Sequence, residues 1–420
     1  MGDVTQIVPD TDNPSGAASE LRKTSAIRHR ARLLLERARA GDSEWFTVHD
    51  GELMTAASEV AAVTLRRYPD LLIPVHSRWR HFEAGGVDRK GVLDTAVAPL
   101  DLRSRARAMI DLTVVSVLLD AGAGPDWRYR EGPDGRVYNR SEGLGIATWH
   151  AFAGGLFSSD PDEPLRVDAA RLQQIPTGEL AQAFQVDGDN PLVGLDGRVA
   201  VLRRLGRALD DQPGVFGPHG RPGGLFDAIV TTSAESVLAH DILVRILASF
   251  SGIWPSDNLI GDQPVGDCWQ HKALAGAGLT RGWMPFHKLS QWLTYSLLEP
   301  FGWAGVTVEG IDELTGLPEY RNGGLLMDTG VLRLRDGSWA SGTWSPADEL
   351  VVEWRALTVA LIDELAPLVR DRLDVGADEM PLACVLEGGT WAAGRELAQT
   401  LFDVMFADLD RHLREWGVGD

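Results

Sequence analysis

Apolar residues recur at helical spacing along most of this chain, and that periodicity sets what it can fold into. Leu397, Leu401, Met405, Leu409 and Leu413 return every four residues over the last stretch, which a strand, whose side chains alternate every two, cannot do. Similar patterns predict helices over 52–67, 99–121, 193–211, 232–252, 284–299, 348–372 and 396–415, and an arginine-rich amphipathic helix over 21–40. Strand signals are few. The alternating stretch LLMDTGVLRL at 325–334, ahead of Asp336-Gly337, predicts one small hairpin. The expected fold class is mainly α, a large helical domain with one small β-hairpin or sheet. No repeat of fixed period points to a solenoid.

Composition supports a folded chain. Of 420 residues 44% are hydrophobic and 24% charged, with 46 Gly and 22 Pro, so disordered and collagen-like classes do not fit. A chain of this size buries a large core without disulfides or structural metal. Residues 1–20 read as a disordered leader, and 21–420 as one large helical domain, with two closely packed subdomains left open. The net charge of −20 repels polyphosphate, so nucleic acid and anionic membrane are poor partners, although a local basic pocket can still take a small anion. Two cysteines, Cys268 and Cys384, are too few for a disulfide framework or a thiolate zinc site. With no apolar run of roughly 18 residues and no signal-peptide core, the expected location is cytoplasmic.

Several polar groupings stand out. On the helix 284–299, Lys288, Gln291, Tyr295 and Glu299 fall within about 80° of one another, opposite Leu289, Leu293 and Leu297. A lone lysine, an amide, a phenol and a carboxylate suit a polyol or phosphate, and equally an ordinary solvent face. Asp267 and His271 share a face if a helix starts at Asp267, as a cap beside an ordinary histidine or as two ligands of a metal. The loop Gly316–Gly324 gathers Glu319, Tyr320, Arg321 and Asn322 ahead of Asp328. Trp79, His81 and Glu83 precede Gly85-Gly86, and Glu387 precedes Gly388-Gly389-Thr390-Trp391. A carboxylate beside an aromatic suits ribose hydroxyls and a cationic sugar ring. Arg140, Glu142 and His150 close a long loop with a guanidinium and acid or base groups. No GxSxG elbow, dinucleotide fingerprint or kinase set is present.

The blocks SRWRHFEAGGVDR (77–89), RSEGLGIATWHAFAGGLFSSD (140–160), DNPLVGLDGR (189–198), GDCWQH (266–271), PFHKLSQWLTYSLLEP (285–300), LTGLPEYRNGGLLMDTGVL (314–332), EWRALTV (353–359) and LEGGTWAAGRE (386–396) resemble a uracil-catabolism family. It is known from fungi and bacteria, and is named after the fourth gene of the fungal uracil-degradation cluster. The resemblance runs from Leu21 to Glu396. It departs at Leu397–Asp420, an amphipathic pattern where members carry a Gly/Pro-rich tail. A distant similarity to queuosine-salvage nucleotide N-glycosylases implies an architecture like that of helical DNA glycosylases.

The resemblance implies a hydrolase that cleaves the N-glycosidic bond of ribosylurea, or of its 5′-phosphate, to urea and ribose or ribose phosphate. Such a bond breaks through an oxocarbenium-like state, which needs a carboxylate near C1′ and proton transfer to the leaving group. The candidate catalytic residues are Asp267, Glu319, Glu387 and His271. The candidate binding residues are Lys288, Tyr295, Glu299, Arg321, Asp328, Arg140, Glu142, His150, Trp79 and His81. No cofactor and no metal are expected, the partner is the small ribosyl or ribosyl-phosphate substrate, and a homodimer is left open. The rivals are a metal-dependent amidohydrolase acting on the ureido group and a non-catalytic pathway scaffold.

Overall fold

The computed structural model describes residues 9–132, 135–230, 235–254, 256 and 258–401. It is mainly α, as the periodicity predicts. The long helices include α1 (Pro14–Leu21), α2 (Thr24–Arg39), α3 (Leu53–Arg67), α4 (Leu102–Leu118), α5 (Arg140–Ala153), α6 (Leu195–Asp210), α7 (Ala239–Phe250), α8 (Lys288–Trp303), α9 (Tyr320–Asp328), α10 (Glu349–Leu373) and α11 (Trp391–Leu401). Most predicted helices start and stop within a few residues of these. The predicted helix 396–415 lies largely outside the described residues.

Two helices form the centre. α8 is buried from Lys288 to Leu298 and α10 from Leu350 to Ile362, the all-round burial of helices surrounded by others. α4 packs on α8, and α2 and α3 pack on α10. One apolar core runs through all of them from Ile27 to Ala393. α8 also continues through Pro300 to Trp303. Proline lacks the N–H that would bond the carbonyl four residues back, and the Trp79 indole Nε1–H donates to that Ser296 carbonyl instead, at 3.2 Å.

The strands make five short two-stranded ladders among the described residues. Phe46–Val48 pairs antiparallel with Leu332–Leu334, and Tyr129–Glu131 with Arg136–Tyr138. Ser236–Leu238 runs parallel to Thr307–Glu309, while Leu259–Ile260 meets Gln263–Pro264 and Cys268–Gln270 meets Trp283–Pro285.

Three expectations are corrected. The hairpin predicted over 325–334 is the end of α9 followed by a strand that pairs with residues far upstream. Glu319 makes the difference: its carboxylate accepts the N–H groups of Arg321 and Asn322 and starts the helix. No helix starts at Asp267, where Cys268–Gln270 is a strand. The leader predicted over 1–20 contains α1, whose Ala17, Ala18 and Leu21 are buried against Ile260, Val265 and Cys268. Residues 1–8 lie outside the described residues.

Candidate functional site

The chain near Glu387 departs from regular helix. Leu386–Thr390 forms a single π-turn between a short helix and α11, a widened turn that occurs often at functional sites. Glycine is required there because α3 approaches closely. A Cβ on Gly389 would lie 2.5 Å from both the Thr64 hydroxyl and the Val60 carbonyl oxygen. With the Gly-Gly pair seated on α3, the Glu387 side chain enters the wall of a cavity of about 250 Å³.

Each wall of that cavity comes from a different element. The end of α3 supplies Arg67, and the loop after it His76. The helical turn Trp79–Phe82 supplies Arg80 and His81. Asp120 comes from just beyond α4, and Ser141 and Glu142 from the first turn of α5. Trp292 of α8 and Trp391 of α11 provide the aromatic walls.

Glu387 is 7% exposed and has protein partners on both oxygens. Oε1 accepts from Arg67 Nη2 at 3.0 Å and from the Tyr68 hydroxyl at 3.1 Å, and Oε2 lies 2.8 Å from His76 Nδ1. Burial opposes its charge, but His76, Arg67 and His81 outweigh that and hold the carboxyl below the usual carboxylate range. Burial and the Glu387 charge push the Tyr68 phenol up to about 12, so it remains a donor.

A second carboxylate stands behind the wall. Glu299 accepts from Arg80 at 2.5 Å and from Ser77 at 2.5 Å. Burial raises its carboxyl above the ordinary range against the pull of Arg80, and the nearby Glu83 charge adds to the rise. Asp120 accepts from Ser141 Oγ at 2.7 Å, and Arg78 lies 3.2 Å away. The Arg78 guanidinium sits 5.6 Å from the Trp292 ring centre, and Lys288 Nζ 5.9 Å from it. Against the other tryptophan, Trp391, stand Arg321 at 5.9 Å and Arg395 at 5.6 Å. Aromatic faces attract such cations through the ring quadrupole.

Of the residues singled out in the sequence, His81, Glu142 and Glu387 line this cavity. Lys288, Glu299 and Arg321 contact residues that line it. Glu319 lies beside Lys288 as the buried cap of α9, its carboxyl raised by burial against the Lys288 charge. The polar stripe of α8 is offset from the expected one: Trp292, Ser296 and Glu299 meet the Ser77–His81 segment. Gln291 and Tyr295 instead bond Thr315.

The structure puts the remaining candidates elsewhere. Asp267 receives a bidentate pair from Arg355 at 2.9 and 2.8 Å, the Trp269 indole N–H and the Lys288 backbone N–H. Burial works against its charge, but Arg355 holds it below the usual range. It anchors the start of α8. His271 is buried against Glu353 at 3.1 Å, and His150 pairs with Glu131. Trp79 satisfies the helix break at Pro300, Asp328 ends α9 with its carboxyl raised by burial, and Arg140 is exposed at the start of α5.

Sequence reading did not single out Arg67, His76, Asp120, Ser141 or Trp292. Arg80 and Trp391 sit inside the Gly/Trp-rich blocks and had a visible signal there. Asp120 had a weaker one, as an acid ending the apolar run VVSVLLD. His76 had none, because its partner Glu387 is 311 residues away. Among the described residues no three His, Cys, Asp or Glu side chains converge as metal ligands would, and no helix is long and apolar enough to cross a membrane.

The chain is 38% identical over 356 residues to uracil catabolism protein 4 of Lachancea kluyveri, covering 78% of this chain and 80% of that protein. It is 38% identical over 383 residues to protein urg3 of Schizosaccharomyces pombe, covering 89% and 92%. The family profile described as protein of unknown function, DUF1688, matches residues 20–403, and on that coverage the chain belongs to the DUF1688 family.

Proposed function

We propose that this chain acts in uracil degradation as an N-ribosyl hydrolase, cleaving ribosylurea or its 5′-phosphate to urea and ribose or ribose phosphate. The name of the Lachancea kluyveri relative supports the pathway. The reaction is carried by one observation, a buried carboxylate kept ionised in the wall of a small cavity between two tryptophans.

Breaking the C1′–N bond builds positive charge on the ribose ring, and a fixed anion in a low-dielectric wall favours that charge over the neutral substrate. Glu387 meets this need, by loose analogy with the carboxylates of glycosidases. The cavity volume of about 250 Å³ lies just below the range of about 300–1,000 Å³ common for drug-sized ligands, which suits a pentose bearing a ureido group better than a dinucleotide. His81, edge-on to Trp292 at 5.8 Å, is the proton donor to departing urea. Lys288 and Arg321, each against a wall tryptophan, supply positive charge for a 5′-phosphate.

The test is turnover of synthetic ribosylurea and its 5′-phosphate by purified, metal-stripped protein, with urea and reducing sugar followed together. The expected result is equimolar urea and sugar, and a fall of about 10³-fold in kcat/KM for Glu387→Gln, within the range of a catalytic proton-transfer or charge-stabilising group. Ammonia in place of urea moves the chemistry to the ureido group and rejects the reading, as does the absence of both products.

A further inference from the structure

We propose that His76 is the general base of this site, taking a proton from the attacking water at Nε2 while Glu387 holds the ring. The inference rests on the N-ribosyl hydrolase reading and deepens it by naming the group that activates water.

The hydrogen-bond chemistry fixes the roles of the two ring nitrogens. An ionised carboxylate only accepts, so the 2.8 Å contact between His76 Nδ1 and Glu387 Oε2 requires the proton on Nδ1. In the neutral ring the lone pair then sits on Nε2. No hydrogen bond from the described residues occupies that nitrogen, and the His76 side chain, 15% exposed, lines the cavity. A carboxylate on one ring nitrogen with the other left for substrate sets the tautomer and the orientation of the ring.

The ring is also held in place. The His76 N–H donates to the Ala383 carbonyl at 3.0 Å, which ties this loop to the segment leading into the π-turn. The Trp292 ring lies 6.4 Å away at 34° and limits swing on one side. Arg67 and Tyr68 bond the other oxygen of Glu387, so the carboxylate cannot rotate away from the imidazole. They are positioning residues.

The step balances. The water oxygen forms the bond to C1′ with its own electron pair as its proton passes to His76 Nε2. The C1′–N bond breaks with its pair going to the urea nitrogen, which takes a proton from His81. One histidine ends a proton richer and the other a proton poorer, bulk water restores both, and nothing is oxidised or reduced.

Leaving-group chemistry separates the two histidines. 4-Nitrophenyl ribofuranoside releases a phenolate that needs no proton, whereas ribosylurea releases urea only with one. The variants are His76→Gln, which keeps a donor toward Glu387, His76→Gly, and His81→Gln. The expected result is a loss of about 100-fold or more on both substrates for His76→Gln, and recovery of about tenfold or more when imidazole is added to His76→Gly. His81→Gln loses a similar factor on ribosylurea and little on the nitrophenyl riboside. A His76→Gln rate within about threefold of wild type would overturn the base assignment alone. So would a loss that imidazole does not restore, since a merely structural histidine gives that pattern. Wild-type protein inactive on both substrates overturns the hydrolase reading, and the base assignment with it.

Discussion

Glu387 illustrates how one residue's surroundings set both chemistry and stability. Its carboxyl is held below the range of an unfolded chain by His76, Arg67 and His81 against the cost of burial. The stabilisation is therefore fully present above the unfolded value of about 4.3 and is lost as pH falls through the depressed one. Glu387→Gln removes that dependence. The melting temperatures of wild type and variant should converge as the pH is lowered from about 6 to about 3, the wild type losing more; parallel curves would deny the ionised state. Glu387 could be picked out of the sequence because a carboxylate ahead of Gly-Gly and a tryptophan is an unusual grouping. Asp267 and His271 were picked out by spacing alone. Their partners Arg355 and Glu353 lie 88 and 82 residues away, and nothing in a local pattern shows that a charge is already neutralised.

At the level of elements, the site depends on how closely helices approach. Gly389 lets the π-turn seat on α3, and Gly394 does the same for α11, where a Cβ would fall 2.1 Å from the Arg321 carbonyl oxygen. Gly389→Ala should cost about 1–3 kcal/mol, the usual penalty of overpacking, and should lower turnover by displacing Glu387. Gly337→Ala, in open space, should change neither; thermal melts and kcat/KM on both variants check this. Helix positions were readable because a period of 3.6 survives in the sequence wherever one face is buried. The strand Leu332–Leu334 was misread as half of a local hairpin because its partner, Phe46–Val48, is 286 residues away. The π-turn had only its Gly-Gly pair as a signal, since the close approach that demands glycine belongs to another helix.

For the whole molecule, one continuous core and a small satellite under α1 decide what solvent can reach. Both cysteines are buried, and burial pushes the Cys384 thiol up to about 12 and raises that of Cys268 as well. Ellman's reagent should find no reactive thiol in native protein at about pH 8 and two per chain after denaturation; a native signal would show that α1 does not cover Cys268. The cavity carries a different consequence, for the order in which the chain is made. His76 and Glu387 are separated by 311 residues, so at about 5–20 residues per second a ribosome takes roughly 15–60 s to deliver the second after the first. Through that interval the nascent polypeptide holds guanidinium and imidazole parts of a pocket, joined late in it by the Trp292 indole, without the carboxylate that ties them together. Competence therefore arrives late in translation, and a chain released before Trp391 is synthesised would be inert however well its earlier helices had folded.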